Sequence, residues 1–236
     1  MNYKKRAVIL AGGKGSRLRP YTTVLPKPLM PLGDYPILEL VVRQLIKNNF
    51  QHITICVNHQ AELIKTFFGN GEKWNINIDY CYESSPLGTM GPLRNIPDLP
   101  DNFLVMNGDI LTDLNFGFFY KEHIENKEIY TISGFKRSQK VDFGVLNLSH
   151  DNYLEDFKEK PINSYTVSMG IYMLNKKILK YIPEGYFGFD SLMYALLNFK
   201  MKVKVKLFDG YWLDIGRPDD YMQAIDDFES KKDMFL

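Results

Sequence analysis

Two cysteines and four histidines in 236 residues leave little material for covalent or metal chemistry. Cys56 and Cys81 stand alone in apolar, strand-like stretches without Cys-x-x-Cys spacing, and read as small buried hydrophobes in a reducing cytoplasm. His52, His59, His123 and His150 pair with no Cys or His at ligand spacing, which argues against structural zinc. No Gly-x-Ser-x-Gly elbow anchors acyl transfer. Charge of one sign is also missing: Lys+Arg 29 against Asp+Glu 28 leaves +1, no footprint for nucleic acid or an anionic membrane. Apolar runs are short, Ala7–Ala11 among them, so no segment can span a bilayer. Lys4, Lys5 and Arg6 before that run sketch a signal peptide, but the run is too short and Gly-Gly-Lys-Gly-Ser-Arg follows it. What is present is ordinary globular composition, 45% hydrophobic and 24% charged. At this length folding buries roughly 70–75% of the extended chain's surface, in one large domain or two small ones.

Strand-like and helix-like stretches alternate through the first part of the chain. Strands are expected at Arg6–Ala11, His52–Val57, Ile76–Tyr82, Phe103–Met106 and Ile129–Phe135. Helices are expected at Pro36–Asn48, with Pro36 at the favoured first position, at Ala61–Phe68, at Gly88–Asn95 and from Phe116 to about Asn126. Apolar strands separated by helices argue for a parallel sheet covered on both faces, which binds ligands beyond its strands' carboxyl ends. From about residue 137 shorter strands follow (Phe143–Leu148, Tyr153–Phe157, Tyr165–Leu174), then helices at Lys176–Ile182 and Phe189–Asn198 and a strand at Val203–Phe208. The last helix opens at Pro218, where Asp219 and Asp220 offset its dipole, and shows Tyr221, Ala224, Ile225 and Phe228 on one face. No repeat or linker interrupts the chain, so one unit of two lobes is expected.

The most informative segment is Leu10-Ala11-Gly12-Gly13-Lys14-Gly15-Ser16-Arg17-Leu18-Arg19-Pro20. Three glycines after a strand let backbone N–H groups crowd a phosphate. A dinucleotide fingerprint would need glycine where Leu18 stands, and a Walker A loop glycine where Arg17 stands, so both fail. Lys14, Arg17, Arg19 and the later Lys27 instead supply a local cationic cluster, as a bound triphosphate and phosphomonoester require.

These residues, Ala11-Gly-Gly-x-Gly-x-Arg-Leu-x-Pro followed by Pro26-Lys27-Pro28 and Leu32, resemble the sugar-1-phosphate nucleotidyltransferases. The resemblance continues through Pro86-Leu87-Gly88-Thr89-Met90-Gly91, Asn107-Gly108-Asp109, Glu159-Lys160-Pro161 and Trp212-Leu213-Asp214-Ile215-Gly216, in the family's order, from residue 6 to about 228. It is nearest to the mannose-1-phosphate guanylyltransferase branch. It implies an α/β, Rossmann-like three-layer sandwich with a mostly parallel central sheet and a smaller sugar-binding lobe, a GT-A-like arrangement. One nucleotidyltransferase domain would fill residues 1–236, with 1–136 mainly the nucleotide lobe and 137–236 mainly the sugar lobe and closing elements. At 236 residues the chain is expected to lack the C-terminal left-handed β-helix of longer members.

Asp109 at the carboxyl end of an apolar strand and Asp214 in an apolar-aromatic setting suit Mg²⁺, which takes one or two carboxylates plus phosphate oxygens, and the resemblance assigns both to that metal. Asp113 departs from Asp-x-Asp spacing and reads as a turn residue. The nucleotide site is expected at Leu10, Ala11, Gly12, Gly13, Lys14, Gly15, Ser16, Arg17, Glu83, Pro86, Gly88, Thr89, Asn107 and Gly108. Relatives using uridine or thymidine nucleotides commonly carry Gln where Glu83 stands. A carboxylate can accept guanine's adjacent N1–H and N2–H₂ donors, which favours GTP and leaves CTP open, while it repels the carbonyl oxygens of uracil or thymine. On the sugar-phosphate side the resemblance implies Lys27, Gly144, Glu159, Lys160, Ser168 and Gly170. Ser168-Met169-Gly170-Ile171-Tyr172 departs from the family's Asn-Ala-Gly-Ile-Tyr, which leaves mannose, another hexose or a heptose open.

The reaction implied is nucleoside triphosphate plus sugar 1-phosphate giving nucleotide sugar and pyrophosphate, with Arg17, Lys27, Asp109 and Asp214 catalytic. A homodimer is implied as well. A silent regulatory paralogue and a glycosyltransferase are the competing readings. The retained Arg17, Lys27, Asp109 and Asp214 oppose the first, and the missing Asp-x-Asp opposes the second.

Overall fold

Strands with apolar residues on both faces have to be sandwiched, and the architecture follows from that. The computed structural model describes residues 5–58 and 60–236; Lys4 and His59 lie outside the described residues. In chain order the elements are β1 (Lys5–Leu10), β2 (Pro31–Leu32), β3 (Tyr35–Pro36), α1 (Ile37–Lys47), β4 (Phe50–Val57), α2 (Ala61–Phe68), β5 (Asn77–Tyr82), β6 (Asn102–Asn107), β7 (Ile110–Thr112) and α3 (Phe116–Glu125). There follow β8 (Tyr130–Lys140), β9 (Val145–Leu148), β10 (Leu154–Lys158), β11 (Ile162–Asn175), α4 (Phe189–Asn198), β12 (Lys204–Phe208), β13 (Trp212–Asp214), α5 (Pro218–Ser230) and α6 (Lys232–Phe235).

A seven-stranded sheet runs in the order β12-β8-β11-β6-β1-β4-β5. β6, β1, β4 and β5 are parallel, β11 is antiparallel to both β6 and β8, and β12 is parallel to β8. The expected mostly parallel central sheet is therefore present. Ala7 and Ile9 of β1 face a core made with α1, α2 and α3, while Val8 faces a second core with Leu192 and Leu196 of α4. A third cluster joins Leu18, Met30, Leu111 and Ile215 to Tyr221, Ala224 and Phe228 on the predicted face of α5. Burying these apolar faces removes them from water, the dominant stabilising term of the fold. Among the described residues no helix is long and apolar enough to cross a membrane.

Some element boundaries differ from expectation for local reasons. Pro36 is extended and precedes α1, because it pairs with Pro31; the first helical residue is Ile37, whose N–H donates to Met30 O at 3.0 Å. The helix expected over Gly88–Asn95 is a 3₁₀ turn over Gly91–Asn95, since Gly88 sits at φ +76°, which no helix accepts. The segment Lys176–Tyr181 is likewise 3₁₀. β8 and the first half of β11 continue as an exposed ribbon through Ile162–Lys140 pairing, where apolar alternation has stopped. Cys56 and Cys81 are buried and unbridged, as expected, and are register partners on β4 and β5.

Candidate active site

The parallel strands deliver four loops to one edge of the sheet, and those loops enclose a cavity of about 780 Å³. Every residue expected to bind nucleotide lines it, together with Lys27 and Asp109. Backbone pairing continues into the loops: Ala11 N donates to Cys56 O (2.9 Å), Glu83 N to Val57 O (2.9 Å) and Gly108 N to Leu10 O (3.0 Å). This fixes the glycine loop, Glu83 and Asp109 relative to one another.

Within the loop, Gly15 has φ +60°, a region L side chains disfavour, and its carbonyl accepts from Thr22 Oγ1 at 2.7 Å. A Cβ at Gly13 would meet no atom within 4 Å, so glycine there keeps the cavity open to a ligand rather than relieving a clash. A Cβ at Gly12 would stand 2.7 Å from Glu83 Oε1, so glycine lets that carboxylate lean over the loop. The other oxygen, Oε2, accepts from Leu87 N at 3.1 Å and closes the turn into Pro86-Leu87-Gly88. Burial raises the Glu83 carboxyl above its usual range, opposed by the Leu87 hydrogen bond.

The facing wall comes from a distant segment. Phe187 O accepts from Met90 N (3.0 Å) and Gly91 N (3.1 Å), Phe187 N donates to Leu87 O (2.8 Å), and Phe189 N donates to Thr89 Oγ1 (2.7 Å). These bonds bring Tyr186, Gly188, Phe189 and Asp190 into the cavity, none of which the sequence reading selected. Nothing in the pattern of residues 186–190 links them to residues 86–91, and that link exists only in the fold. Asn58, just past the end of β4, was also missed, although its place beyond a parallel strand was a usable signal.

At the cationic end Lys27, buried, donates through Nζ to Asp109 Oδ2. Asp109 Oδ1 is buried and has no hydrogen-bond partner among the described residues. β13 pairs with β7, Asp214 opposite Ile110, and Ile215 N donates to Asp109 O at 3.1 Å, so Asp109, in the turn just before β7, is brought beside Asp214 at the end of β13. Burial and the negative charge of Asp109 raise the Asp214 carboxyl, with Lys27 and Arg17 opposing. A Cβ at Gly216 would lie 3.5 Å from both Arg17 guanidinium nitrogens, so Arg17 reaches this cluster over a glycine. Among the described residues no three His, Cys, Asp or Glu side chains converge on one point. An orphaned buried carboxylate oxygen beside a second, mutually repelling carboxylate nevertheless suits a divalent ion that takes its other ligands from phosphate and water.

Of the residues expected on the sugar side, Lys27 lines the cavity and the others lie elsewhere. Gly144, Glu159 and Lys160 sit at the base of the β9–β10 hairpin and do not line the cavity. Glu159 and Lys160 face each other at 3.8 Å with more than half of each side chain exposed. Ser168 and Gly170 occupy a register shift in β11. Ser168 Oγ donates to Tyr172 OH (3.2 Å) and accepts from Gly170 N (3.2 Å), and a Cβ at Gly170 would strike Asn107 Nδ2 at 2.6 Å. Tyr172 stacks on Phe189 at 5.0 Å, and burial with the nearby Asp214 pushes its hydroxyl to about 12. The turn aspartate Asp113 accepts from Tyr211 N at 2.7 Å, and Asp220 accepts from Gly216 N (3.1 Å) and Arg217 N (2.8 Å) ahead of α5.

The sequence profile of the nucleotidyl transfer enzymes termed "Nucleotidyl transferase" matches residues 6–231. The chain belongs to that family. It is 32% identical over 241 residues to a UTP–glucose-1-phosphate uridylyltransferase of Synechocystis, covering 93% of this chain and 62% of that protein. It is 33% identical over 227 residues to a mannose-1-phosphate guanyltransferase of Schizosaccharomyces pombe, covering 92% and 62%. The chain thus spans about 62% of the length of these curated relatives. Among solved structures, HddC of Yersinia pseudotuberculosis complexed with GMP-PN superposes with a TM-score of 0.71 at 28% identity, over 95% of this chain and 99% of that one. Relatives naming uridylyl and guanylyl transfer both match, so the family fits the sugar-1-phosphate nucleotidyltransferases without selecting a base.

Proposed function

We propose that this nucleotidyl transferase family member joins a nucleoside triphosphate, GTP by preference, to a sugar 1-phosphate, releasing pyrophosphate and forming a nucleotide sugar. The observation that carries this reading is one cavity lined by an open glycine loop, by Lys14, Arg17 and Lys27, and by the Glu83 carboxylate that leans over Gly12. A sugar-phosphate oxygen would attack the α-phosphorus in line, the bond to the β-phosphate oxygen would break, and pyrophosphate would leave with the electron pair. With no covalent intermediate, the protein's contribution is positioning and charge neutralisation. Arg17 and Lys14, with the amides around Gly12, Gly13 and Gly15, would hold the leaving pyrophosphate. Lys27 would neutralise the reacting phosphates, and Lys160 would orient the nucleophile once the β9–β10 hairpin approaches the cavity. Asp109 and Asp214 would hold Mg²⁺, which supplies Lewis-acid stabilisation of phosphate charge when bound. Gly144, Glu159, Ser168 and Gly170 belong to the sugar side of this reading.

The preference for GTP rests on Glu83, whose carboxylate lines the cavity and can accept from guanine's paired donors, and is supported by the GMP-PN complex of HddC. Mannose, another hexose or a heptose would carry the phosphate. The deciding experiment is pyrophosphate release with Mg²⁺ from GTP, CTP, UTP, dTTP and ATP against hexose and heptose 1-phosphates. Release confined to GTP is expected. Release with UTP or dTTP overturns the base assignment and keeps the chemistry, and silence across the panel overturns the reaction.

A further inference from the structure

One end of the central sheet carries β1, β4 and β5 side by side, and the loop leaving each strand reaches the cavity: Gly12 after β1, Asn58 after β4 and Glu83 after β5. Ala11 N donates to Cys56 O and Glu83 N to Val57 O, both at 2.9 Å, so the two outer loops are tied to the residues just ahead of Asn58. Asn58 is thereby held between the glycine loop and the Glu83 carboxylate. A Cβ at Gly12 would stand 2.7 Å from Glu83 Oε1 and 3.4 Å from Asn58 Cβ, so both side chains flank one glycine. Asn58 does not cap the helix that follows, because α2 has Gln60 as its N-cap residue, without a side-chain bond. The Asn58 amide is half-buried and hydrogen-bonds to no described residue.

We infer that Asn58 reads the purine base together with Glu83, donating through Nδ2 to the oxygen on C6. The inference rests on the GTP reading above. Guanine's edge presents the N1–H and N2–H₂ donors next to the O6 acceptor. A carboxylate only accepts, so Glu83 can satisfy the two donors and leaves O6 without a partner. An acceptor taken out of water without a donor weakens binding, and an amide supplies that donor. The other cavity groups are less well placed for this. Asn107 follows β6, on the far side of β1 from Glu83, and Thr89 Oγ1 is engaged by Phe189 N. The same pair of side chains opposes adenine, whose N1 lone pair would face the carboxylate.

The test is equilibrium binding by calorimetry, with Mg²⁺ and without sugar phosphate, so that no turnover occurs. GTP, 6-thio-GTP and UTP are titrated into the wild type, Asn58→Ala and Asn58→Asp. 6-Thio-GTP keeps N1–H and N2–H₂ and replaces O6 by sulfur, a weaker acceptor. The wild type should bind GTP about tenfold more tightly than 6-thio-GTP. Asn58→Ala should lose about tenfold for GTP and little for 6-thio-GTP, so that the ratio falls to near one. Asn58→Asp should lose more GTP affinity than Asn58→Ala, because an acceptor then faces an acceptor. An unchanged ratio in Asn58→Ala, as a general loss of loop order would give, overturns the inference. So does a wild type that binds GTP and 6-thio-GTP alike. Tighter binding of UTP than of GTP overturns the guanine reading itself and the inference with it, a pattern that neither of the other failures produces.

Discussion

The Lys27 ammonium is bonded to Oδ2 of Asp109, 82 positions further along the chain, and leaves the other oxygen of that carboxylate buried and unpaired. Lys27 is thus the counter-ion that lets Asp109 and Asp214 stand close together without a metal. Lys27→Met keeps most of the side-chain volume and removes the charge. We expect a loss of roughly 2 kcal/mol of stability by urea denaturation, less than for a fully buried pair because Asp109 is partly exposed. Mg²⁺ should raise the variant's midpoint more than the wild type's, because the ion replaces the missing charge. Equal Mg²⁺ shifts in both proteins would contradict this role.

Arg17→Ala tests the leaving-group assignment. Turnover should fall by about 10³-fold or more, since the guanidinium would stabilise charge that develops on departing pyrophosphate. Stability should be nearly unchanged, because the side chain lies over Gly216 at the cavity and not in the core. Near-wild-type pyrophosphate release would remove Arg17 from the mechanism.

Glu83→Gln separates base recognition from loop architecture. The glutamine carbonyl can still accept from Leu87 N, so the turn should persist. Base preference should move from GTP toward UTP or dTTP by about 10²-fold in the ratio of kcat/KM, because an amide complements a uracil edge and leaves a guanine donor unpaired. An unchanged ratio would limit Glu83 to closing the turn.

His123 predicts a pH dependence remote from the site. Its Nδ1 is 2.8 Å from Thr131 Oγ1, its Nε2 is buried without a partner among the described residues, and burial lowers its pKa from 6.5 to about 4. The neutral form is therefore favoured by folding. That stability is present above pH 6.5 and is lost as pH falls toward 4, by up to roughly 3 kcal/mol. Urea midpoints between pH 7 and 4 should fall less steeply in His123→Gln. Parallel curves would exclude His123 as the source of the acid sensitivity.

The half of the cavity built from the glycine loop, Glu83 and Asp109 was legible because its signals are local. A glycine loop after an apolar strand, and an aspartate after another, follow directly from parallel-sheet topology. α2 and α4 have the boundaries their periodicity indicates. The opposite wall, Tyr186 to Asp190, was not legible, because it is held by backbone bonds to Leu87, Met90 and Gly91 that leave no pattern in either segment. The full length of β8 and β11 was hidden for a different reason. Their outer halves are solvent-exposed on both faces, so no apolar alternation reports them.

The place of β11 has a consequence for dividing this protein. It lies between β6 and β8, supplying the hydrogen bonds of β6 on the side away from β1. A fragment ending near residue 136 would keep the glycine loop, Glu83 and Asp109 yet leave one flank of β6, four of whose residues are fully buried, as a bare edge. Such an edge is a template for pairing with other chains. That fragment should therefore precipitate when expressed alone, while a circular permutant that preserves β11 should remain in solution.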